Sequence, residues 1–257
     1  MFRVLASSLL LAFGSAAAAQ PTALPVEGDL LTGWREANGQ HMAGIELRLA
    51  PGWKTYWRAP GAGGIPPRFN WSGSRNLSHV EVRYPIPKVM DQNGMRSIGY
   101  DDDVVFPLVV TARDPGKPIR IRAEIEVGVC EEVCIPMTLQ LAVDLPTGGA
   151  YDPSIGSILD NQPRQGGAFE CDITPISDGL VLRAETGGAS MRAEIVVIET
   201  SIPGVWVSPS DTTQNGAQLV AEVEMVPPNA QPFALSRDEV RMTLIGGGQA
   251  IEMQGCR

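Results

Sequence analysis

Two neighbouring runs of alternating apolar and polar residues dominate the middle of the chain. Residues 119–129 and 135–145 both place their apolar side chains at odd positions, and most of the residues between them are charged or polar. This period of two predicts two strands that each bury one face. A hairpin turning through residues 131–133 would pair Val129 with Ile135, and in the same register Cys130 faces Cys134 on the polar side of the ribbon.

Shorter apolar or alternating segments separated by turns predict further strands on both sides of this hairpin. The predicted strands are residues 45–49, 79–84, 104–111, 180–184, 193–199, 205–207, 219–225, 240–245 and 250–253. Asp152 and Pro153 have the chemistry of a helix N-cap and first helical position, which predicts a short helix over residues 154–159.

An aromatic segment surrounds a turn-rich stretch in the first half of the chain. The aromatic residues are Trp53, Tyr56, Trp57, Phe69 and Trp71. Residues 60–67 between them are rich in proline and glycine, which predicts a turn rather than a helix or a central strand. We interpret the aromatic side chains as core and the stretch as a turn; a groove for a peptide partner is the alternative.

The composition agrees with many short strands. Glycine and proline contribute 28 and 21 of the 257 residues, and 44% of the residues are apolar, enough for a buried core. We therefore predict an all-β protein with two β-sandwich domains in tandem. The predicted boundaries are residues 20–146 for the first domain, 147–167 for a linker with the short helix, and 168–257 for the second domain.

The N-terminus has the three parts of a cleavable signal peptide over residues 1–19. Arg3 is followed by an apolar run, and Ala17-Ala18-Ala19 form a small-residue cleavage site before Gln20. The run is too short to span a bilayer, and no later stretch is long enough, so no membrane span is expected. We expect export to a compartment where disulfides persist. The net charge of −9 argues against nucleic acid as a partner.

The first cysteine pair is the main candidate for chemistry. Two thiols at a hairpin tip can switch between dithiol and disulfide without moving the core. Glu131 and Glu132 between them should raise the pKa of the thiols, which favours a role as electron donor. The structural alternative is that Cys130 and Cys134 form a permanent disulfide that stabilises the hairpin, in an interaction module without redox activity. Cu(I) binding by Cys130 and Cys134 is another, with a thioether from one of three methionines, Met90, Met95 or Met137.

The second cysteine pair is predicted to be structural. Cys171 and Cys256 bracket the second predicted domain. A disulfide between them would close a loop of about 86 residues, which contributes roughly 4–5 kcal/mol in the chain-entropy model. It would also tie down the C-terminal segment.

Four motifs together resemble a known family. Residues 53–58 (WKTYWR), 64–67 (GIPP), 97–100 (SIGY) and 128–136 (GVCEEVCIP) are similar to the N-terminal periplasmic domain of DsbD-type thiol:disulfide interchange proteins. The similarity covers residues 24–145 and is greater to the ScsB-like branch, which is linked to copper tolerance.

The resemblance implies an immunoglobulin-like fold and a cofactor-free function, with copper as the alternative cofactor. Cys130 and Cys134 would be the redox pair of a periplasmic protein-disulfide reductase. The pair would accept electrons from a membrane-embedded thiol reductase and pass them to a periplasmic thioredoxin-fold protein.

The chain departs from the family pattern in three respects. The cap loop that shields the cysteines in the family falls at residues 89–95, where Met90, Asp91 and Met95 stand in place of its aromatic residue. Three residues separate the cysteines, fewer than in the better-known members. Family members usually continue into transmembrane helices, which this sequence lacks, so we expect the electrons to come from a separate membrane protein.

Overall fold

The computed structural model describes residues 24–92 and 94–257, and the predicted signal peptide lies outside them. The first ten strands form one β-sandwich, called here the first sandwich. They are β1 (Val26–Arg35), β2 (His41–Leu49), β3 (Lys54–Gly61), β4 (Arg68–Asn70), β5 (Leu77–Val82), β6 (Lys88–Gln92), β7 (Met95–Tyr100), β8 (Val104–Ala112), β9 (Ile119–Cys130) and β10 (Cys134–Leu145).

The long hairpin confirms the register predicted from the alternating pattern. β9 and β10 pair antiparallel along their full length, with Val129 opposite Ile135 and Cys130 opposite Cys134. The odd-numbered residues of β9 are fully buried because they face the core of the first sandwich. The charged residues at positions 120, 122 and 126 point outward and are exposed.

Two sheets face each other across that core. One has the strand order β1-β2-β8-β5, and the other has the order β10-β9-β3-β7-β6, with β4 also paired to β9. Trp57 and Phe106 are among the largest fully buried side chains. Phe69 and Trp71 are partly buried against the same core, so these aromatic side chains belong to the core as predicted.

One turn prediction needs correction. β3 continues through Pro60 to Gly61, two residues into the segment predicted as a turn. The strand accommodates proline there because its register with β7 shifts between Tyr56 and Gly61, so Pro60 lies within an irregular stretch rather than a regular ladder.

The remaining strands form the second sandwich, whose sheets have the orders β11-β19-β18-β14 and β12-β13-β17-β15, with β16 also paired to β17. They are β11 (Arg164–Gln165), β12 (Glu170–Ile176), β13 (Gly179–Thr186), β14 (Ile195–Thr200), β15 (Trp206–Val207), β16 (Asp211–Asn215), β17 (Gln218–Val226), β18 (Val240–Gly246) and β19 (Gln249–Gln254). A short 3-10 helix, Arg237–Glu239, precedes β18. The all-β, two-sandwich fold class is confirmed.

The predicted short helix is also present, in the segment of chain that connects the two sandwiches. Helix α1 spans Pro153–Asp160, and the side chain of Asp152 caps it by accepting a hydrogen bond from the Ser154 N–H. Its Ile155 is fully buried, against Gly33 and Gly44 of the first sandwich. The helix is therefore anchored by one apolar side chain on the outside of the β1-β2-β8-β5 sheet.

Candidate functional site

Cys130 and Cys134 are joined by a disulfide at the tip of the β9–β10 hairpin. Their Cα atoms are 4.1 Å apart, and Glu131, Glu132 and Val133 form the exposed turn between them. The second predicted pair, Cys171 and Cys256, is also joined, with 5.7 Å between the Cα atoms. In the described part of the chain no cysteine is free.

The two sulfurs of the hairpin disulfide differ in their accessibility. Cys134 is exposed, whereas Cys130 is completely buried. The expectation that both lie on an accessible polar face is therefore wrong for Cys130. The outer face of β9 is exposed along most of the strand, but near its end the Tyr56 side chain of the neighbouring strand β3 and Ile65 of the loop after β3 lie against it.

Gly128 allows this covering segment to approach β9. A Cβ atom at Gly128 would lie 2.5 Å from the Cβ of Ile65, so any larger residue would push the loop away. Gly128 also stands at an even position, where the pattern of β9 otherwise has charged residues. That interruption is the signal in the sequence that another segment packs on the outer face here.

Tyr56, which the sequence placed only in the aromatic core, lies beside both sulfurs. Its hydroxyl donates a hydrogen bond to the Sγ of Cys130 at 2.7 Å and lies 3.3 Å from the Sγ of Cys134. The side chain is completely buried, and burial raises the pKa of its hydroxyl. Tyr56 therefore keeps its proton at neutral pH and places a fixed donor beside the buried sulfur.

The surrounding backbone fixes the Tyr56 ring. Thr55 Oγ1 donates to the carbonyl oxygen of Gly128 at 3.0 Å, which ties β3 to β9 directly beside the disulfide. On the other side, the backbone at Gly64 lies against the ring: a Cβ atom there would be 2.6 Å from Tyr56 Cδ1. The ring is thus held between the strand ladder and a glycine-containing loop.

The exposed residue Cys134 lines a cleft of about 510 Å³. The residues that line it are Lys54, Gly63, Asp91, Met95, Ser97, Glu131, Glu132 and Cys134. Of the three cap-loop candidates, the cleft brings Asp91 and Met95 to the disulfide, while Met90 is buried on β6.

The cap-loop segment forms the β6–β7 hairpin. The Gly94 N–H donates to Asp91 Oδ1 at 3.0 Å across its turn. Met95 follows at the start of β7 and is 55% exposed.

Exposed apolar side chains surround the accessible sulfur. Val133, Ile135, Met95 and Ile65 belong to the small set of large apolar residues that are exposed in the described structure. Val133 and Ile135 flank Cys134 in the chain, and Ile65 covers Gly128 of the neighbouring strand. Exposed large apolar side chains next to an accessible cysteine are common at protein–protein contact sites.

The second disulfide lies in a different environment. Cys171 is the second residue of β12, and Arg237 donates to its carbonyl oxygen at 2.6 Å. The Cys256 N–H in turn donates to the Arg237 carbonyl oxygen at 3.0 Å. Cys171 is buried and Cys256 is half-buried, so neither offers an attacking thiolate the access that the exposed Cys134 has.

The described residues hold neither a metal-binding cluster nor a membrane-spanning helix. Within residues 24–92 and 94–257, no three His, Cys, Asp or Glu side chains group closely enough to hold a metal ion. In the same ranges no helix has the length and apolar character needed to cross a membrane.

Comparisons with known proteins agree with this geometry. A family model described as "Thiol:disulfide interchange protein DsbD, N-terminal" matches residues 21–146. The crystal structure of the N-terminal periplasmic domain of ScsB from Proteus mirabilis superposes with a TM-score of 0.61 at 22% sequence identity, over 89% of this chain and 90% of that one. That similarity extends over both sandwiches and shows a shared fold. No curated protein sequence matches the chain.

Proposed function

Residues 21–146 are a DsbD-type N-terminal domain, and from that premise we propose that the chain relays electrons in the periplasm by thiol–disulfide exchange at Cys130 and Cys134. The observation that carries the proposal is the asymmetry of the disulfide. One sulfur is exposed in an open cleft, and the other is buried under a hydroxyl donor. Exchange needs an accessible sulfur to be attacked and a second sulfur that leaves as a stabilised thiolate.

The first half-reaction reduces the pair. A thiolate of the donor protein attacks Cys134 Sγ and forms a mixed disulfide, while the Cys130–Cys134 bond breaks and its electron pair goes to Cys130 Sγ. The Tyr56 hydroxyl, already 2.7 Å from that sulfur, donates to the new thiolate. The donor's second thiolate then attacks the donor's first sulfur, which is bonded to Cys134 Sγ in the mixed disulfide. This releases Cys134, forms the donor's disulfide and leaves the pair as a dithiol once the sulfurs take up protons.

The second half-reaction passes the two electrons on. The exposed Cys134 thiolate attacks one sulfur of the acceptor's disulfide, and the acceptor's other sulfur leaves as a thiolate. Cys130 then attacks Cys134 Sγ in the mixed disulfide, which reforms the hairpin disulfide and releases the acceptor as a dithiol. Cys134 is therefore the sulfur that meets both partners, and Cys130 is the resolving cysteine.

The partners that fit this cycle are a membrane-embedded thiol reductase as donor and a periplasmic thioredoxin-fold protein as acceptor. The family match supports exchange with other redox proteins, and the name of the Proteus mirabilis relative supports the periplasm as the compartment. The exposed apolar side chains around Cys134 supply a contact surface. If candidate membrane reductases are deleted and the pair remains reduced in vivo, the proposed donor is excluded.

Trapping of mixed disulfides tests the assigned roles of the two sulfurs. The Cys130→Ala variant retains the exposed thiol and should accumulate a mixed disulfide with an oxidised thioredoxin-fold protein. The matched Cys134→Ala variant retains only the buried thiol and should not. Intact-mass measurement after alkylation distinguishes the adducts. Equal trapping by the two variants would contradict the proposed order of attack, and no exchange by the unaltered protein would contradict the function itself.

Cu(I) binding by the reduced pair is a second candidate function. It is favoured by one observation: the thioether of Met95 lines the same cleft as Cys134, and thiolates and thioethers are preferred ligands of Cu(I). A competition titration of the reduced protein with Cu(I) tests it. Tight binding that is lost in Cys130→Ser/Cys134→Ser and weakened in Met95→Leu would support this function, whereas binding unchanged in the double serine variant would exclude it.

A further inference from the structure

The second sandwich contacts the strand that carries Tyr56. Arg58 lies two residues after Tyr56 on β3, and its side chain extends to the second sandwich. Its Nε and Nη2 donate to the two carboxylate oxygens of Glu199, each at 3.0 Å, and Nη2 also donates to Glu252 at 2.5 Å. The three side chains are only 17%, 20% and 16% exposed. A largely buried ion cluster therefore joins the two sandwiches.

The electrostatics of this cluster fix the position of Arg58. Burial opposes the charge of the guanidinium, but the carboxylates of Glu199 and Glu252 outweigh it and raise the pKa of Arg58 above its ordinary value. The guanidinium carbon also lies 4.1 Å from the ring centroid of Trp57. Because a partly buried charge is stable only with its partners in place, Arg58 is held where the second sandwich puts it.

The part of β3 that carries Arg58 has little regular pairing with its neighbouring strands. The regular ladder between β3 and β7 ends at Tyr56, opposite Gly99, and the register has shifted by the next pair at Gly61. The pairing of β3 with β9 covers Lys54 and Thr55, which precede Tyr56. The stretch directly after Tyr56 therefore lies outside the regular ladder. Arg58 belongs to this irregular stretch.

A second contact reaches the opposite wall of the cysteine cleft. Arg96, next to Met95 on β7, donates from Nη1 to the carbonyl oxygen of Glu194 at 3.1 Å. Ile245 and Ala250 of the second sandwich also belong to the buried apolar cluster of the first. The second sandwich thus contacts β3, which pairs with β9 at Cys130, and β7, which carries the cleft residue Met95.

We propose that Arg58 is a positioning residue through which the second sandwich, by way of Glu199 and Glu252, orients the Tyr56 hydroxyl on Cys130 Sγ. This inference rests on the proposed function, because the orientation of Tyr56 matters only if Cys130 is the leaving sulfur. It makes the second sandwich part of the redox unit rather than a separate appendage.

The test uses the full chain with Glu199→Gln/Glu252→Gln, which removes both carboxylate charges and keeps the side-chain volumes. Glu185→Gln is the matched control, since it removes an ion pair with Arg183 in the second sandwich without touching β3. We expect the rate of exchange with glutathione to fall about three- to tenfold in the double variant, because small displacements of a positioned group have effects of this order or greater. The control should exchange at the unaltered rate.

Repeating both measurements in a Tyr56→Phe background separates positioning from general destabilisation. If Arg58 acts through Tyr56, the effect of the double variant disappears there, because the hydroxyl it positions is absent. An equal fold-change in both backgrounds, or none in either, overturns the proposal. If the double variant does not fold, Arg58→Lys is used instead, and the same outcomes support or overturn the proposal. Lysine keeps the positive charge but lacks the planar guanidinium that contacts both carboxylates.

The two failures remain distinguishable. If the unaltered protein does not exchange with glutathione at all, the proposed function fails. If it exchanges normally while the double variant and Tyr56→Phe act additively, only the positioning role of Arg58 fails.

Discussion

The hydroxyl of Tyr56 donates to the Sγ of Cys130 across 2.7 Å, inside a site where Cys130 has no exposed surface. The neighbouring sulfur of Cys134 is exposed. A symmetrical structural staple does not require this arrangement, whereas a disulfide that is attacked at one sulfur and released at the other does. Tyr56 is thus the residue that distinguishes the exchange mechanism from a passive hairpin bond.

Replacing Tyr56 by phenylalanine should slow exchange without unfolding the protein. The variant keeps the buried ring and loses the donor to the leaving thiolate. A hydrogen bond to a charged group contributes about 1.5–3 kcal/mol, so the rate of reduction by a dithiol should fall roughly 10- to 100-fold. Stopped-flow or quenched alkylation measures the rate, and thermal unfolding serves as the control. An unchanged rate in a folded variant would remove Tyr56 from the mechanism.

Gly64 and Gly63 offer a matched test of how the Tyr56 ring is held. A Cβ atom at Gly64 would lie 2.3 Å from Pro60 Cβ and 2.6 Å from the Tyr56 ring, whereas at Gly63 the nearest atom is Met95 Cε at 4.0 Å. Gly64→Ala should therefore displace the ring, slow exchange, and lower the free energy of unfolding by about 1–3 kcal/mol. Gly63→Ala should change neither. Equal exchange rates and stabilities of the two alanine variants would contradict the packing of the Tyr56 ring against Gly64.

Loss of the second disulfide should affect stability and leave exchange intact. The Cys171→Ser/Cys256→Ser variant opens a loop between residues 85 positions apart, which in the chain-entropy model costs roughly 4–5 kcal/mol. Chemical denaturation of the unaltered and variant proteins measures the difference. Below the unfolding transition, Cys130 and Cys134 should exchange at the unaltered rate. A variant of unchanged stability would contradict the structural role.

His41 should make the stability depend on pH below neutrality. Its side chain is buried on β2, with Nε2 2.6 Å from the Thr32 carbonyl oxygen, and burial lowers the pKa of the imidazole. A lowered folded-state pKa favours the neutral form. The contribution of His41 to stability is therefore complete above the unfolded pKa of about 6.5, and it is lost as the pH falls from there toward the lower folded-state value.

Denaturation between pH 7.5 and 5 tests this. The unaltered protein should lose free energy of unfolding with a slope up to about 1.4 kcal/mol per pH unit steeper than His41→Gln, which cannot take up the proton. Parallel curves for the two proteins would show that His41 does not titrate differently on folding.

The sequence predicted the part of the site that depends on local pattern. The alternation in residues 119–145 was sufficient for the hairpin register, because a strand with one buried face has a strict period of two. The same reasoning paired Cys130 with Cys134 across the turn. Asp152 and Pro153 likewise predicted the start of α1, since N-capping is a local interaction.

The part that depends on distant segments was not predicted. Alternation shows which face of β9 meets its own core, but not that β3 and the loop containing Ile65 cover the opposite face near Cys130. Strands such as β6, β7 and β12 escaped detection because they are short or buried irregularly and lack a clear period. The role of Tyr56 follows from the same long-range packing, for which Gly128 was the only local sign.

The most direct test of electron relay is a redox titration of the protein, read by thiol alkylation and mass spectrometry. We predict that Cys130–Cys134 titrates between about −180 and −270 mV, the span of thiol-exchange proteins, while Cys171–Cys256 stays oxidised. If both disulfides are reduced only at potentials below about −300 mV, the hairpin disulfide is structural and the electron-relay function is contradicted.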